Sequence, residues 1–427
     1  MSHKINDELI ALHEEYSSIT ELLDIGYSAV EQTPIKALKL GKGERCILIN
    51  GAHHARESLT TILVLAQIED LAKAYTNNET RQDYKVRQLL DTVSIYFVPM
   101  LNPDGIELAM SEKPSWKANG RGVDLNNNYP TLNAQPRSTY VPASQGYIGP
   151  YPFSEPETQA LQTLCDEKQF ELALAYHSAG QIIYWWYYQN EPLYTRSLIE
   201  AKLLSNVTGY SVLPVSQQKG GLGFTDWFIQ HYKRPGYTLE IGRMANGKPL
   251  AWSEYEKVWK NNQAVPLNLL ISVIQNETKS WMTEIEGQNV KGELVLDRGM
   301  VPLREAAQIL NIEMTYDSLE QKIELTKEEN QLSLVIGEKL AIYNGESIEL
   351  VMPAYIKKGI TYVPLADLLL YLGNREKEEE SNLEQVLEED VEDESMDRDE
   401  GEMEEDEEVI QSSEEDAIEL DEKMDSI

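Results

Sequence analysis

Residues 46–57 read CILINGAHHARE: four apolar residues, Cys46-Ile47-Leu48-Ile49, closed by Asn50 and Gly51, then Ala52-His53-His54-Ala55-Arg56-Glu57. A run that short and that continuously apolar suits a strand buried on both faces. Three further runs repeat the pattern. Residues 92–99 (TVSIYFVP) lead to Asn102-Pro103-Asp104-Gly105, residues 172–176 (LALAY) end on His177-Ser178, and residues 237–240 (YTLE) end on Glu240, followed by Gly242 and Arg243. After the first run, Leu59, Ile62, Leu63, Ile68 and Leu71 recur at helical spacing, and Ser154-Glu155-Pro156-Glu157 reads as a capping box opening the helix before the third. Strand-type runs alternating with helix-type segments predict an α/β layer structure. Ligands of open α/β sheets gather beyond the carboxyl ends of the strands. Three of the chain's six histidines fall at that edge.

His54 and Glu57 form an HxxE pair, and on a turn leading into a helix two such side chains share a face. Alone, the pair also fits a surface histidine near a helix N-terminus with a dipole-favoured glutamate. His177, delivered by a separate strand, favours a metal centre. Two imidazoles and one carboxylate suit zinc and leave a fourth tetrahedral position open, the catalytic arrangement. A closed structural site wants four ligands, usually with thiolates, and neither Cys46 nor Cys165 lies beside these residues; both read as buried free thiols. Glu240 rides out of an apolar strand, where an acid is costly unless it pairs with a cation or serves as a base. Arg243 or Lys233 could make the first a plain salt bridge. A metal-activated water needs the second. Lys117 and Arg56 are candidates to stabilise an oxyanion, or else ordinary surface charges.

The ordered set HARE, NPDG, WKANGRGVDLN, a strand ending in HS and a strand ending in E resembles the zinc carboxypeptidase family, relatives of carboxypeptidases A and B. The likeness covers 51–243 and, with flanking helices, residues 1–284. It implies a mixed, mostly parallel central sheet flanked by helices, one Zn²⁺ held by His54, Glu57 and His177, Glu240 as general base, and Arg56 as a substrate contact. Lys117 stands where the family usually has an arginine polarising the scissile carbonyl; lysine keeps the charge but not the fork. Asp226-Trp227 match a pair seen fourteen residues before the base.

Two further departures from the family's pattern matter. In Asp124-Leu125-Asn126-Asn127-Asn128, Asn126 is kept, but Asn127 replaces the arginine that clamps a terminal carboxylate. Gln218 falls where the family's mobile, substrate-capping tyrosine stands. Loss of a bidentate charge-assisted contact removes the strongest reason to demand a free C-terminus. This combination is similar to the bacterial branch that cleaves γ-D-glutamyl–diamino acid bonds of peptidoglycan stem peptides, so a peptide or muropeptide is the expected substrate. The alternatives are an ordinary carboxypeptidase using another cation, such as Arg121 or Arg243, a zinc-binding peptide-recognition protein without turnover, and a chiefly acidic scaffold.

Outward from this region the texture changes. Residues 289–373 carry an internal echo: Val301-Pro302-Leu303 with Ala306, Ile309 and Leu310 is matched 62 positions later by Val363-Pro364-Leu365 with Leu368, Tyr371 and Leu372. This predicts a small α+β module of two similar halves, without His or Cys and therefore non-catalytic. It resembles the copper amine oxidase N-terminal-like domain, and its lack of histidine implies no copper. Residues 375–427 hold 27 acids and four bases with no aromatic residue or proline, a composition that predicts a disordered tail. Of the net charge of −35, the tail supplies −23 and the rest of the 427 residues −12. Such a balance disfavours nucleic acid. No apolar run reaches the roughly 18 residues of a membrane span. The charged start, MSHKINDELI, lacks a signal-peptide core, which makes cytoplasm the expectation; modules like 289–373 often sit in exported proteins, which pulls the other way.

Overall fold

The structure, a computed structural model, describes residues 1–373 except 83, 112, 133–138, 191, 219–222, 244–247, 277–278, 296–297, 318–319 and 358. The predicted tail, 375–427, lies outside the described residues. In chain order the first domain comprises α1 (Ser2–Glu15), β1 (Thr20–Tyr27), β2 (Pro34–Leu40), β3 (Arg45–Asn50), α2 (Leu59–Thr76), α3 (Val86–Thr92), β4 (Val93–Val98), α4 (Pro103–Ser111) and α5 (Pro156–Lys168). It continues with β5 (Ala173–Ser178), β6 (Ile182–Tyr184), α6 (Leu193–Thr208), β7 (Ser211–Val212), α7 (Phe224–Tyr232), β8 (Gly236–Ile241), α8 (Tyr255–Asn262) and α9 (Val265–Asn276). The eight strands form one sheet in the order β1-β2-β4-β3-β5-β8-β6-β7.

The four apolar runs are its centre. β4-β3-β5-β8 are mutually parallel, while β1, β2 and β6 pair antiparallel outside them. Their lack of polar alternation follows from burial on both faces. Ile47, Ile49, Ile95 and Phe97 pack with Leu63, Ile68 and Leu270 on one side. Cys46, Leu48, Tyr96 and Val98 pack with Leu161, Leu164 and Phe228 on the other. Both cysteines are buried and free. No helix among the described residues is long and apolar enough to cross a membrane.

The expected capping box does not form. Glu155, not Ser154, is the N-cap of α5, and Ser154 Oγ donates to its neighbour Glu155 Oε1 at 2.8 Å. Glu157 is drawn away by stronger demands: Ala29 N–H donates to its Oε1 at 3.0 Å, and Asn119 Nδ2 lies 3.4 Å from Oε2. Burial pushes the Glu157 carboxyl up to about 7, the nearby charges of Glu155 and Asp104 adding to the rise. The folded state therefore holds a proton that the unfolded chain releases near pH 4.5, and this stabilisation is lost as pH rises through 7. A Glu157→Gln variant, always neutral, is expected to match wild type near pH 5. It should exceed it at pH 8 by up to about 3 kcal/mol in urea unfolding; equal stabilities at pH 8 would show that the fold does not raise the Glu157 carboxyl.

Among the described residues the second module holds ten strands and two helices. One sheet runs Lys279–Ile285, Gln288–Val295, Arg298–Pro302, Ile360–Pro364, Tyr355–Lys357, and a five-stranded meander spans Glu313–Asp317 to Glu346–Glu349. Lys279–Ile285, left with the first domain in the sequence reading, pairs along its whole length with Gln288–Val295 and belongs here. The echo is structural: Val301 and Val363 are antiparallel register partners, and each strand runs into a helix, Leu303–Ile309 or Leu365–Leu372. Ile199 on α6 packs against this module's core.

Candidate active site

The loop after β3 is held from two sides. Ala52 adopts a left-handed conformation at φ 53°, and Thr60 Oγ1 accepts its N–H at 2.9 Å. Asn102, just past β4, donates from Nδ2 to the carbonyls of His53 (3.1 Å) and Ala118 (3.2 Å), and its Oδ1 accepts the Gly105 N–H at 3.0 Å. A Cβ at Gly105 would lie 2.5 Å from Ala118 O, so the NPDG turn admits only glycine there. This turn ties the histidine loop to the loop carrying Lys117.

His54, Glu57 and His177 converge in the buried interior. His54 Nδ1 is 2.9 Å from Glu57 Oε1 and 3.0 Å from His177 Nδ1, which is 3.1 Å from Glu57 Oε2. Four-coordinate zinc with nitrogen and oxygen ligands at about 2.0–2.1 Å spaces them by roughly 3.3 Å, so these donors fit a single ion. Three electron-rich atoms this close, away from water, favour a cation among them. Burial works against a charged Glu57, but the two imidazoles beside it hold its carboxyl well below the usual range. Ser178 N–H also donates to Glu57 Oε2 at 3.1 Å.

Behind this group, Asp124 Oδ1 lies 3.3 Å from His54 Nε2, where an outer carboxylate would orient a metal-binding imidazole. Its burial is overcome by His54 and Lys117, so its carboxyl is held below the usual range; Lys117 Nζ stands 3.8 Å from Oδ2. His53 is no ligand. Its Nε2 pairs with Tyr129 Oη at 3.1 Å, its ring stacks on His177 with centroids 5.5 Å apart, and burial keeps it neutral.

Glu240 is the register partner of His177 in the parallel β5–β8 pair, which sets the fourth functional group beside the first three. Neither Arg243 nor Lys233 forms an ion pair with it among the described residues; Lys233 caps α7 and is exposed. Burial raises the Glu240 carboxyl to about 7, with the Glu57 charge adding and His177, Lys117 and Arg56 opposing. Arg56 Nη1 rests 3.4 Å from Ser115 O and from Gln145 Oε1 at the rim.

From Glu240 a cleft of about 210 Å³ opens, lined by Asn126, Asn127, Gln218, Tyr184, Trp185 and Trp186. No Lys or Arg lines it among the described residues. Arg121 points elsewhere, 3.8 Å from Glu155 Oε2 and bonded to Ala29 O. Asn126 Oδ1 accepts the Phe224 N–H at 3.0 Å and so fixes the start of α7, where Asp226 lines the cleft and Trp227 is buried.

Three parts of the site are not expected from the sequence: Asp124, Asn102 and the aromatic segment Tyr184–Trp186. Asp124 stands two positions before Asn126 in the quoted block, so its signal was within reach. Asn102 acts through backbone carbonyls, which leave no trace in residue type.

Two imidazoles and a carboxylate meeting past the carboxyl ends of parallel strands, with a second carboxylate in register beside them, define an α/β protein with a metal centre of the open type. The chain belongs to the zinc carboxypeptidase family, whose profile matches residues 5–265. The copper amine oxidase N-terminal domain matches residues 284–385. The chain is 32% identical over 260 residues to gamma-D-glutamyl-L-diamino acid endopeptidase 1 of Lysinibacillus sphaericus, covering 55% of this chain and 63% of that protein. It thus spans less than two thirds of that relative's length. Carboxypeptidase B of Astacus astacus is 29% identical over 198 residues, 43% of this chain and 62% of that one. Bovine thrombin-activatable fibrinolysis inhibitor, in complex with tick carboxypeptidase inhibitor, shares the fold at a TM-score of 0.56 and 22% identity, over 65% of this chain and 98% of that chain.

Proposed function

We propose that the protein is a zinc peptidase whose cleft does not require a free C-terminal carboxylate, and that it cuts peptidoglycan stem peptides between γ-D-glutamate and the following diamino acid. The observation that carries this reading is the triad His54–Glu57–His177 with Glu240 in register beside it, opening on a cleft without a cation among the described residues. His54, Glu57 and His177 would hold the zinc, which would supply a Lewis acid able to make water nucleophilic near neutral pH. Glu240 takes the proton of the attacking water on its carboxylate and later gives it to the departing nitrogen. Lys117 Nζ and Arg56 offset the negative charge that develops on the scissile carbonyl oxygen. Asn126 and Asn127 offer neutral hydrogen bonds where a terminus-reading enzyme needs a charged fork. Similarity to the Lysinibacillus endopeptidase supports the bond named.

A carboxypeptidase would need another cation near Asn127. The two readings part on a peptide and its C-terminally amidated twin. Turnover of both within about threefold is expected, together with mass-analysed release of the diamino acid portion from purified muropeptides. A drop of a hundredfold or more on amidation, the value of a lost charged contact, establishes the carboxypeptidase instead.

A further inference from the structure

Gln218 occupies the cleft wall, yet its side chain is spent on the protein. It is buried; its Oε1 accepts two consecutive backbone N–H groups, Trp185 at 3.2 Å and Trp186 at 2.9 Å, and its Nε2 donates to Leu213 O at 2.7 Å. The segment it grips leaves β6 as Tyr184-Trp185-Trp186-Tyr187-Tyr188. Further bonds fix it: Trp185 Nε1 donates to Leu213 O at 3.0 Å, and Gln189 Nε2 donates to Trp185 O at 2.9 Å while its Oε1 accepts the Tyr187 N–H. Trp186 and Tyr188 pack with centroids 4.7 Å apart, and Tyr184 and Tyr188 remain 39% and 51% exposed. An aromatic face so held loses little freedom when a substrate covers it.

We propose that Gln218 is a positioning residue for specificity: its amide locks residues 184–186 as a fixed aromatic wall of the cleft beside Glu240. The occupant of that wall is the extended hydrocarbon part of the residue on the amine side of the scissile bond. The proposal rests on the peptidase reading. A capping side chain that swings over a substrate must be free to move, whereas Gln218 cannot leave its place without stranding two backbone N–H groups, those of Trp185 and Trp186. Its effect on substrate passes through Trp185 and Trp186.

The test compares Gln218→Ala and Gln218→Met, the second keeping the volume and removing every hydrogen bond. Substrates are two amidated γ-D-glutamyl peptides whose leaving residue is either a long diamino acid or glycine. For both variants the ratio of kcat/KM, long over glycine, is expected to fall about tenfold, the scale for losing apolar contact in a pocket. The change should sit in KM, with bound zinc per chain as in wild type. Rescue by Met, equal losses on both substrates, or a fall confined to kcat would overturn the clamp. Should the wild type cleave neither peptide, the peptidase reading fails separately. Tryptophan-fluorescence titration with the same peptides then decides: weaker binding of the long peptide to both variants supports the fixed wall, and unchanged binding removes it.

Discussion

Glu240→Gln is expected to lower kcat on the amidated peptide by about a thousandfold, within the range that general acid–base groups contribute, with zinc content unchanged. Glutamine keeps the shape and cannot take the proton. The carboxyl's rise to about 7 on burial places its proton affinity near that of the working solution. A cation on the triad nearby favours the charged form. The wild-type rate should therefore fall off on the acid side with an apparent pKa at or below 7, and this limb should vanish from the residual rate of the glutamine variant. If the variant keeps full activity, Glu240 is not the base. If wild type itself turns over no peptide or muropeptide while holding zinc, the protein is a recognition module.

The second large effect concerns the metal itself. His177→Ala removes one of three ligands, and zinc affinity should fall by well more than the roughly 10–100-fold that loss of an outer partner costs. Asp124→Asn, which weakens the carboxylate beside His54 Nε2, supplies that smaller reference value. Competition with a chromophoric chelator measures both, and activity should follow zinc occupancy in each. Stripping zinc from wild type should lower the melting temperature, because binding to the folded state alone stabilises it. Stoichiometric, tight zinc in the His177→Ala protein would place the ion elsewhere in the chain. An unchanged affinity in Asp124→Asn would reduce that carboxylate to a structural contact.

Much of the catalytic region was legible in the sequence because both-face burial leaves continuous apolar runs, and because the residues that end such runs collect at one edge. Four runs gave four adjacent parallel strands; His54 and Glu57 after the first met His177 at the end of the third, with Glu240 of the fourth in register beside it. The features that stayed hidden depend on partners far along the chain. Glu157 reads locally as half of a capping box, but its real partner is the backbone of Ala29. Gln218 could be placed by counting, yet the count says nothing about which way its amide turns, and the N–H groups it binds carry no sequence signature. The start of the second module was set late because Lys279–Ile285 is recognised as part of it only through its pairing.

The pairing of Glu240 with His177 also has a consequence for how this chain can vary. Side chains of a strand alternate between faces, so a single-residue deletion between 236 and 239 would turn an aliphatic group toward the ion and send the acid to the opposite layer. A two-residue deletion would preserve the facing but displace the carboxylate by about 7 Å. Turns flanking this strand can therefore lengthen or shorten gradually across descendants, whereas the stretch inside it tolerates no change of count at all.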